Sequence, residues 1–132
     1  MMVIDMSNLP LFLDKITCGF PSPAQDYVEK RLSLDKQLIR FPESTYFLRA
    51  SGHSMKDAGI LDGDLLIVEC HNTAKQGEIV IAELDGEFTC KYLQLSPFKA
   101  LLSANAVYPP IVIHEEMLVR IFGVVRYAIH YF

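Results

Sequence analysis

The sequence predicts a mainly β body of antiparallel sheets, with a short N-terminal helix and a flexible N-terminal arm. Three observations carry that expectation. From Thr45 onward the chain falls into short apolar runs rich in Val, Ile, Phe and Tyr, each bounded by Gly, Asp, Asn or Pro. Two of these runs are separated by Asp85-Gly86 alone, the signal of a two-residue hairpin. Helix-start chemistry is confined to the region before Thr45. Length and composition agree: 132 residues make one ordinary domain, and 51% apolar with 21% charged residues suits a globular chain.

The elements follow in order. Residues 1 to about 21 hold short apolar clusters separated by Pro10 and Pro21 without a sustained period, and read as an arm packing loosely on the body. In SPAQDYVEKRL, Ser22 can cap a helix, Pro23 suits its first position and Gln25 completes the capping-box spacing, so a helix is expected over 23–31. SLDKQLIRFPES is ambiguous and is broken by Pro42. TYFLRA reads as a strand, SGHSM as a turn and AGILDGD as a loop. LLIVEC, EIVIAEL, EFTCKYLQL and ALLSA read as strands, NAVYPP as a loop, and MLVRIFGVVRYAIHYF as a long final β segment. The expected organisation is an arm over 1–18, a linker with a short helix over 19–44, and a β-rich domain over 45–132.

Several function classes are disfavoured. A net charge of −4 supplies no strong basic field, so direct DNA binding is not expected. Cys18, Cys70 and Cys90 are odd in number and lack C-x-x-C spacing, while His53, His71, His114 and His130 are scattered, so neither a disulfide framework nor a metal or other cofactor is expected. Reduced thiols suit the cytoplasm. Asp5, Pro10, Asp14 and the lack of an early Lys/Arg cluster argue against a signal peptide, and no apolar run nears the roughly 18 residues that span a bilayer.

The chemistry centres on SGHSM. A solvated turn rarely closes on a large apolar residue, whereas a serine held at a bend over an apolar wall would use Met55 as its anchor. Ser54 alone is more often simply a turn residue. Lys91, within EFTCKYLQL, is equally ambiguous alone, because a strand lysine usually points to water. Facing an apolar site, its ammonium would be disfavoured, and the neutral amine could take a proton from Ser54. His53 adjoins Ser54, but neighbours on an extended chain point to opposite sides. Gly52 would let the amides of His53 and Ser54 converge as an oxyanion hole. Cys18-Gly19, ahead of a proline-rich extended stretch, reads either as a hinge or as a scissile bond.

Together, CGFPSPAQDYVEKRL, TYFLRASGHSM, DGDLLIVE, GEIVIAELDGEFTCKYLQL and FGVVRYAIHYF resemble the UmuD and LexA family of self-cleaving Ser-Lys proteases (S24-type), segment by segment and in the same order. The resemblance implies the family's signal-peptidase-like β body, with Ser54 as nucleophile, Lys91 as general base 37 residues downstream, and Cys18-Gly19 as the self-cleavage bond. It further implies cleavage stimulated by a RecA-type recombinase filament on single-stranded DNA during the SOS response. The trimmed chain, as a homodimer, would then join a Y-family polymerase subunit of the UmuC type in translesion synthesis. Replicative polymerase subunits are further candidate partners. IFGVV and YAIHYF are more apolar than a free edge tolerates, which makes the C-terminal strand a candidate dimer interface. About 20 residues precede the bond, fewer than a DNA-reading domain needs, so a repressor role is not expected. The 35 residues from Gly19 to Ser54, at about 3.3 Å each, permit cleavage within one chain or between two. Two alternatives are a non-catalytic dimeric binding module that regulates a DNA polymerase and a general protease. A built-in bond disfavours the latter.

Overall fold

The computed structural model describes residues 8–12, 15–16, 18–19, 28–71 and 73–132. It divides into two compact units, Met1–Arg40 and Phe41–Phe132.

In the first unit, strand β1 (Leu9–Phe12) pairs antiparallel with β2 (Val28–Leu32), setting Leu9 opposite Leu32 and Pro10 opposite Arg31. Arg31 Nη2 donates to the Asn8 carbonyl at 3.0 Å. This pairing corrects two expectations. Residues 9–12, read as an arm without regular structure, form a strand. The helix expected over 23–31 is strand from residue 28, while Ser22, Pro23 and Gln25 lie outside the described residues. A modest local helix preference yields where a partner strand satisfies the backbone groups. The helix sits slightly later, as α1 (Leu34–Leu38), with Ser33 Oγ accepting from Lys36 N at 3.5 Å and Asp35 favourably placed in the first turn. Pro42 then opens a 3-10 turn, Pro42–Ser44.

The second unit is one seven-stranded sheet with antiparallel pairing between all neighbours. Its strands are β3 (Thr45–Arg49), β4 (Leu65–Glu69), β5 (Ile79–Leu84), β6 (Glu87–Gln94), β7 (Ala100–Leu102), β8 (Ile111–Val112) and β9 (Val119–Ile129), in the order β3-β4-β9-β5-β6-β7-β8. The runs TYFLR, LLIVE, IVIAEL and EFTCKYLQ thus form strands where the sequence expects them. The β5–β6 hairpin turns on Asp85 (φ 49°) and Gly86 (φ 87°), and positive φ at both residues is what a type I′ turn requires. The two-residue strand β8 has no counterpart in the sequence reading.

Both faces of the sheet are covered, which is why its central strands read as unbroken apolar runs. Along β5, Ile81 packs with Met55, Ile60, Leu66 and Val68. The alternate residues Val80 and Ala82 pack with Leu93, Leu101 and Val124 on the other side.

β9, which carries IFGVV and YAI, is paired with β4 on one flank and β5 on the other. Only Gly123 and Val124 are buried along it, and Ile121, Tyr127 and Ile129 stay exposed on its faces. β9 carries one extra residue against each neighbour: Arg126 opposite the Ile67/Val68 step and Phe122 opposite the Ile81/Ala82 step. The Arg126 bulge is held by charge, with Nε on Glu69 Oε1 and Nη1 on Glu78 Oε2, both at 3.0 Å.

Gly123 lies between the bulges, and a Cβ there would stand 2.7 Å from Val68 Cγ1, 2.8 Å from Cys70 Sγ and 2.9 Å from the Glu69 carbonyl oxygen. Gly123→Ala therefore lowers unfolding stability by about 1–3 kcal/mol, the usual cost of overpacking. Urea denaturation of both proteins checks this, and an unchanged midpoint contradicts it.

Candidate active site

The turn after β3 is assembled from a short list of constraints. Gly52 adopts φ 88°, a conformation that side chains resist, and so lets the chain reverse within SGHSM. Its amide donates to Asp62 Oδ1 at 2.8 Å. Two backbone bonds tie the same loops together, Ala50 N to the Asp64 carbonyl and Gly63 N to the Ala50 carbonyl, each 2.8 Å. Met55 is buried in the core beside Ile60 and Leu66 and anchors the turn from below. Its carbonyl then accepts from Ala58 N (3.0 Å) and Ile60 N (3.2 Å), closing the 3-10 turn Lys56–Ala58. From the far side, Asn105 Nδ2 donates to the His53 carbonyl at 2.9 Å.

Lys91 sits in β6 opposite Val80 of β5, directly before the stretch Tyr92–Gln94 that pairs with β7. Only 7% of the residue is exposed. Its Nζ donates to Ser54 Oγ at 2.8 Å and to the Cys90 carbonyl at 3.2 Å. Burial holds the ammonium below the ordinary lysine value of 10.5, with the neighbouring Cys90 opposing that shift. The same burial acts in reverse on the Cys90 thiol, raising it to about 11 against the opposing charge of Lys91. A strand lysine and a turn serine 37 residues apart therefore meet at hydrogen-bond distance.

Ser54 opens on a cleft of about 270 Å³ whose walls include Leu48, Met55, Ile60, Ile81, Phe88 and Cys90. A larger groove of about 700 Å³, lined by residues such as Leu93, Ile113 and Met117, borders neither Ser54 nor Lys91. The His53 side chain is exposed, and the basic nitrogen on the Ser54 hydroxyl is that of Lys91. The amides of His53 and Ser54 meet no acceptor among the described residues. Cys18 and Gly19 belong to the first unit, where both are exposed in a bend, and a Cβ on Gly19 would meet nothing within 4 Å. Cys18, Cys70 and Cys90 are free thiols. Among the described residues, no group of three His, Cys, Asp or Glu converges as a metal site, and no helix is long and apolar enough to cross a membrane.

Sequence reasoning missed Asp62 and Asn105. Asp62 lies in a Gly/Asp loop that composition explains fully, and Asn105 lies in NAVYPP, where asparagine is an ordinary loop residue. Only the folded chain sets them against SGHSM.

Residues 10–126 match the model of the family described as Peptidase S24-like. The chain is 50% identical over 124 residues to Protein SamA of Salmonella typhimurium, covering 94% of this chain and 86% of that protein. It is 43% identical over 123 residues to Protein MucA of Escherichia coli, covering 92% and 84%. It is also 42% identical over 113 residues to the LexA repressor of Alcanivorax borkumensis, covering 85% of this chain and 54% of the repressor.

The opposed shifts at Cys90 and Lys91 have a chemical readout. Because the thiolate is the reacting species, a thiol raised to about 11 stays protonated, and unreactive, at pH 8.5. Iodoacetamide at that pH labels the exposed Cys18 while Cys90 stays unmodified until pH approaches its raised value or denaturant is added. Peptide mass mapping reads this, and equal labelling of Cys18 and Cys90 in the folded protein contradicts it.

Proposed function

The chain belongs to the Peptidase S24-like family, and from that premise we propose that it is a self-cleaving serine protease with Ser54 as nucleophile and Lys91 as general base. The observation that supports this reading is the 2.8 Å contact between a buried lysine Nζ and Ser54 Oγ. While Lys91 is an ammonium, Nζ donates to Oγ and the hydroxyl is not activated. Once Lys91 is neutral the bond reverses, and Oγ–H donates to the nitrogen lone pair.

The reaction runs as acyl transfer. Ser54 Oγ attacks the carbonyl carbon of Cys18 as its proton passes to Lys91. The developing oxyanion is met by the amides of His53 and Ser54, which have no acceptor among the described residues. Collapse breaks the bond to Gly19, whose leaving amine takes the proton from Lys91. Water, deprotonated by the same amine, then hydrolyses the ester between Cys18 and Ser54. The products are residues 1–18 and 19–132, one water being consumed. The bare Gly19 suits close approach of a nucleophile, since no side chain stands after the bond.

The resemblance extends this reading to the cell. A RecA-type filament on single-stranded DNA stimulates the cut in the SOS response, and the trimmed homodimer serves a UmuC-type Y-family polymerase in translesion synthesis. Replicative polymerase subunits are further candidates. The similarity to SamA, MucA and LexA supports this role, and the free thiols support a cytoplasmic setting.

The test is incubation of the purified full chain at mildly alkaline pH, followed by intact mass. A fragment beginning at Gly19 is expected, absent in Ser54→Ala and Lys91→Ala, whose rates fall by roughly 10³-fold or more. The rate rises with pH as Lys91 loses its proton and levels off below 10.5, because burial lowers that pKa. Gly19→Glu blocks cleavage with the fold intact, since nothing lies within 4 Å of its Cβ position. Normal cutting by either dyad variant contradicts the mechanism. No cut in the parent protein, even with an activated filament, leaves a dimeric binding module.

A further inference from the structure

Asn105 is 9% exposed, and both ends of its amide are engaged. Nδ2 donates to the His53 carbonyl at 2.9 Å, and Oδ1 accepts from Val107 N at 3.2 Å. The loop carrying it is itself fixed, because Tyr108 N donates to the Asn105 carbonyl at 3.0 Å and the preceding Ala104 carbonyl accepts from Asp57 N at 2.8 Å. Asn105 is therefore a rigid post joining the end of β7 to the SGHSM turn.

The His53 carbonyl and the Ser54 N–H belong to one peptide group. A trans peptide is planar, and its C=O and N–H point in opposite directions. Whatever fixes the carbonyl thus fixes the amide. Asn105 Nδ2 holds that carbonyl together with the turn bond from Lys56 N at 3.2 Å, so the Ser54 N–H is directed away from both, and it meets no acceptor among the described residues. An unfilled donor on the nucleophile's own residue, with its plane locked from behind, is the arrangement that stabilises a developing oxyanion.

We propose that Asn105 is a positioning residue that aims the Ser54 amide at the oxyanion of the acyl-transfer step. The proposal rests on the self-cleavage reading above. Asn105 acts through the 53–54 peptide and does not touch the reacting atoms, so it sets how well the transition state is held and leaves the Lys91 proton equilibrium alone.

The experiment measures self-cleavage rate against pH for the full chain and for Asn105→Asp. That variant keeps an oxygen for Val107 N but replaces the donor facing His53 with a second acceptor. The plateau rate is expected to fall about 10- to 100-fold, the scale of a mis-aimed catalytic group. In Asn105→Ser, which adds no charge, the midpoint of the pH profile stays where the parent has it, which a loosened dyad would not allow. Asn105→Ser is run alongside, because its hydroxyl keeps the turn-type bond to Val107 N but is too short to reach His53. It carries the test if the Asp variant does not fold, with circular dichroism confirming the folded state. A parent-like plateau in a folded variant overturns the proposal, as does a shifted midpoint with the plateau retained in Asn105→Ser. A parent chain that never cuts overturns the self-cleavage reading itself and, with it, the role assigned to Asn105.

Discussion

The candidate site depends on the insertion of β9 between β4 and β5. The SGHSM turn follows β3, which pairs with β4, and Lys91 belongs to β6, which pairs with β5. β4 and β5 do not pair with each other, and their join runs through β9, the last strand made. Without that strand, the β3–β4 pair and the four-stranded run β5-β6-β7-β8 would share no backbone pairing. Backbone pairing from Val124 to Ile129 on one flank and from Val119 to Val124 on the other fixes the distance between them. The close approach at Gly123 and the Arg126 clasp on Glu69 and Glu78 both serve this one seam.

Once the halves are joined, burial decides the chemistry. A solvated lysine would stay protonated, but Lys91 is buried, with its amine against Ser54 Oγ and the Cys90 carbonyl. Desolvation disfavours charge on a cation and on a thiolate alike, so one environment lowers Lys91 and raises Cys90. More of the lysine is neutral at a given pH, while the adjacent thiol stays protonated. Two potential nucleophiles, Ser54 and Cys90, both border the cleft, and this polarity favours the serine.

The body was legible in the sequence wherever local pattern coincided with tertiary pairing. The Asp85-Gly86 hairpin is local chemistry and needed nothing further. The runs LLIVE and IVIAEL were legible because strands covered on both faces are apolar throughout. The first unit was less so. Val28–Leu32 lies directly after a good helix-start signal, yet pairs with Leu9–Phe12, a contact across some twenty residues that no window of sequence contains. At the site, Ser54 and Lys91 could be singled out by residue type and by resemblance. Asp62 and Asn105 could not, because their role rests on a side chain meeting a distant backbone group.

The turn is held by Asp62 on the Gly52 amide, by Met55 in the core, and by Asn105 with Lys56 N on the His53 carbonyl. None comes from a substrate. The contacts that support the Ser54–Lys91 hydrogen bond therefore all come from the chain itself. In the proposed reaction this removes assembly of the dyad as a point of control. Two variables remain: the charge on Lys91, set by pH and burial, and delivery of the Cys18-Gly19 bond. The first responds little to a cellular signal, because burial is fixed by the sheet. A stimulating filament would therefore act on the second, by favouring the chain conformation that presents the bond to a serine already in place.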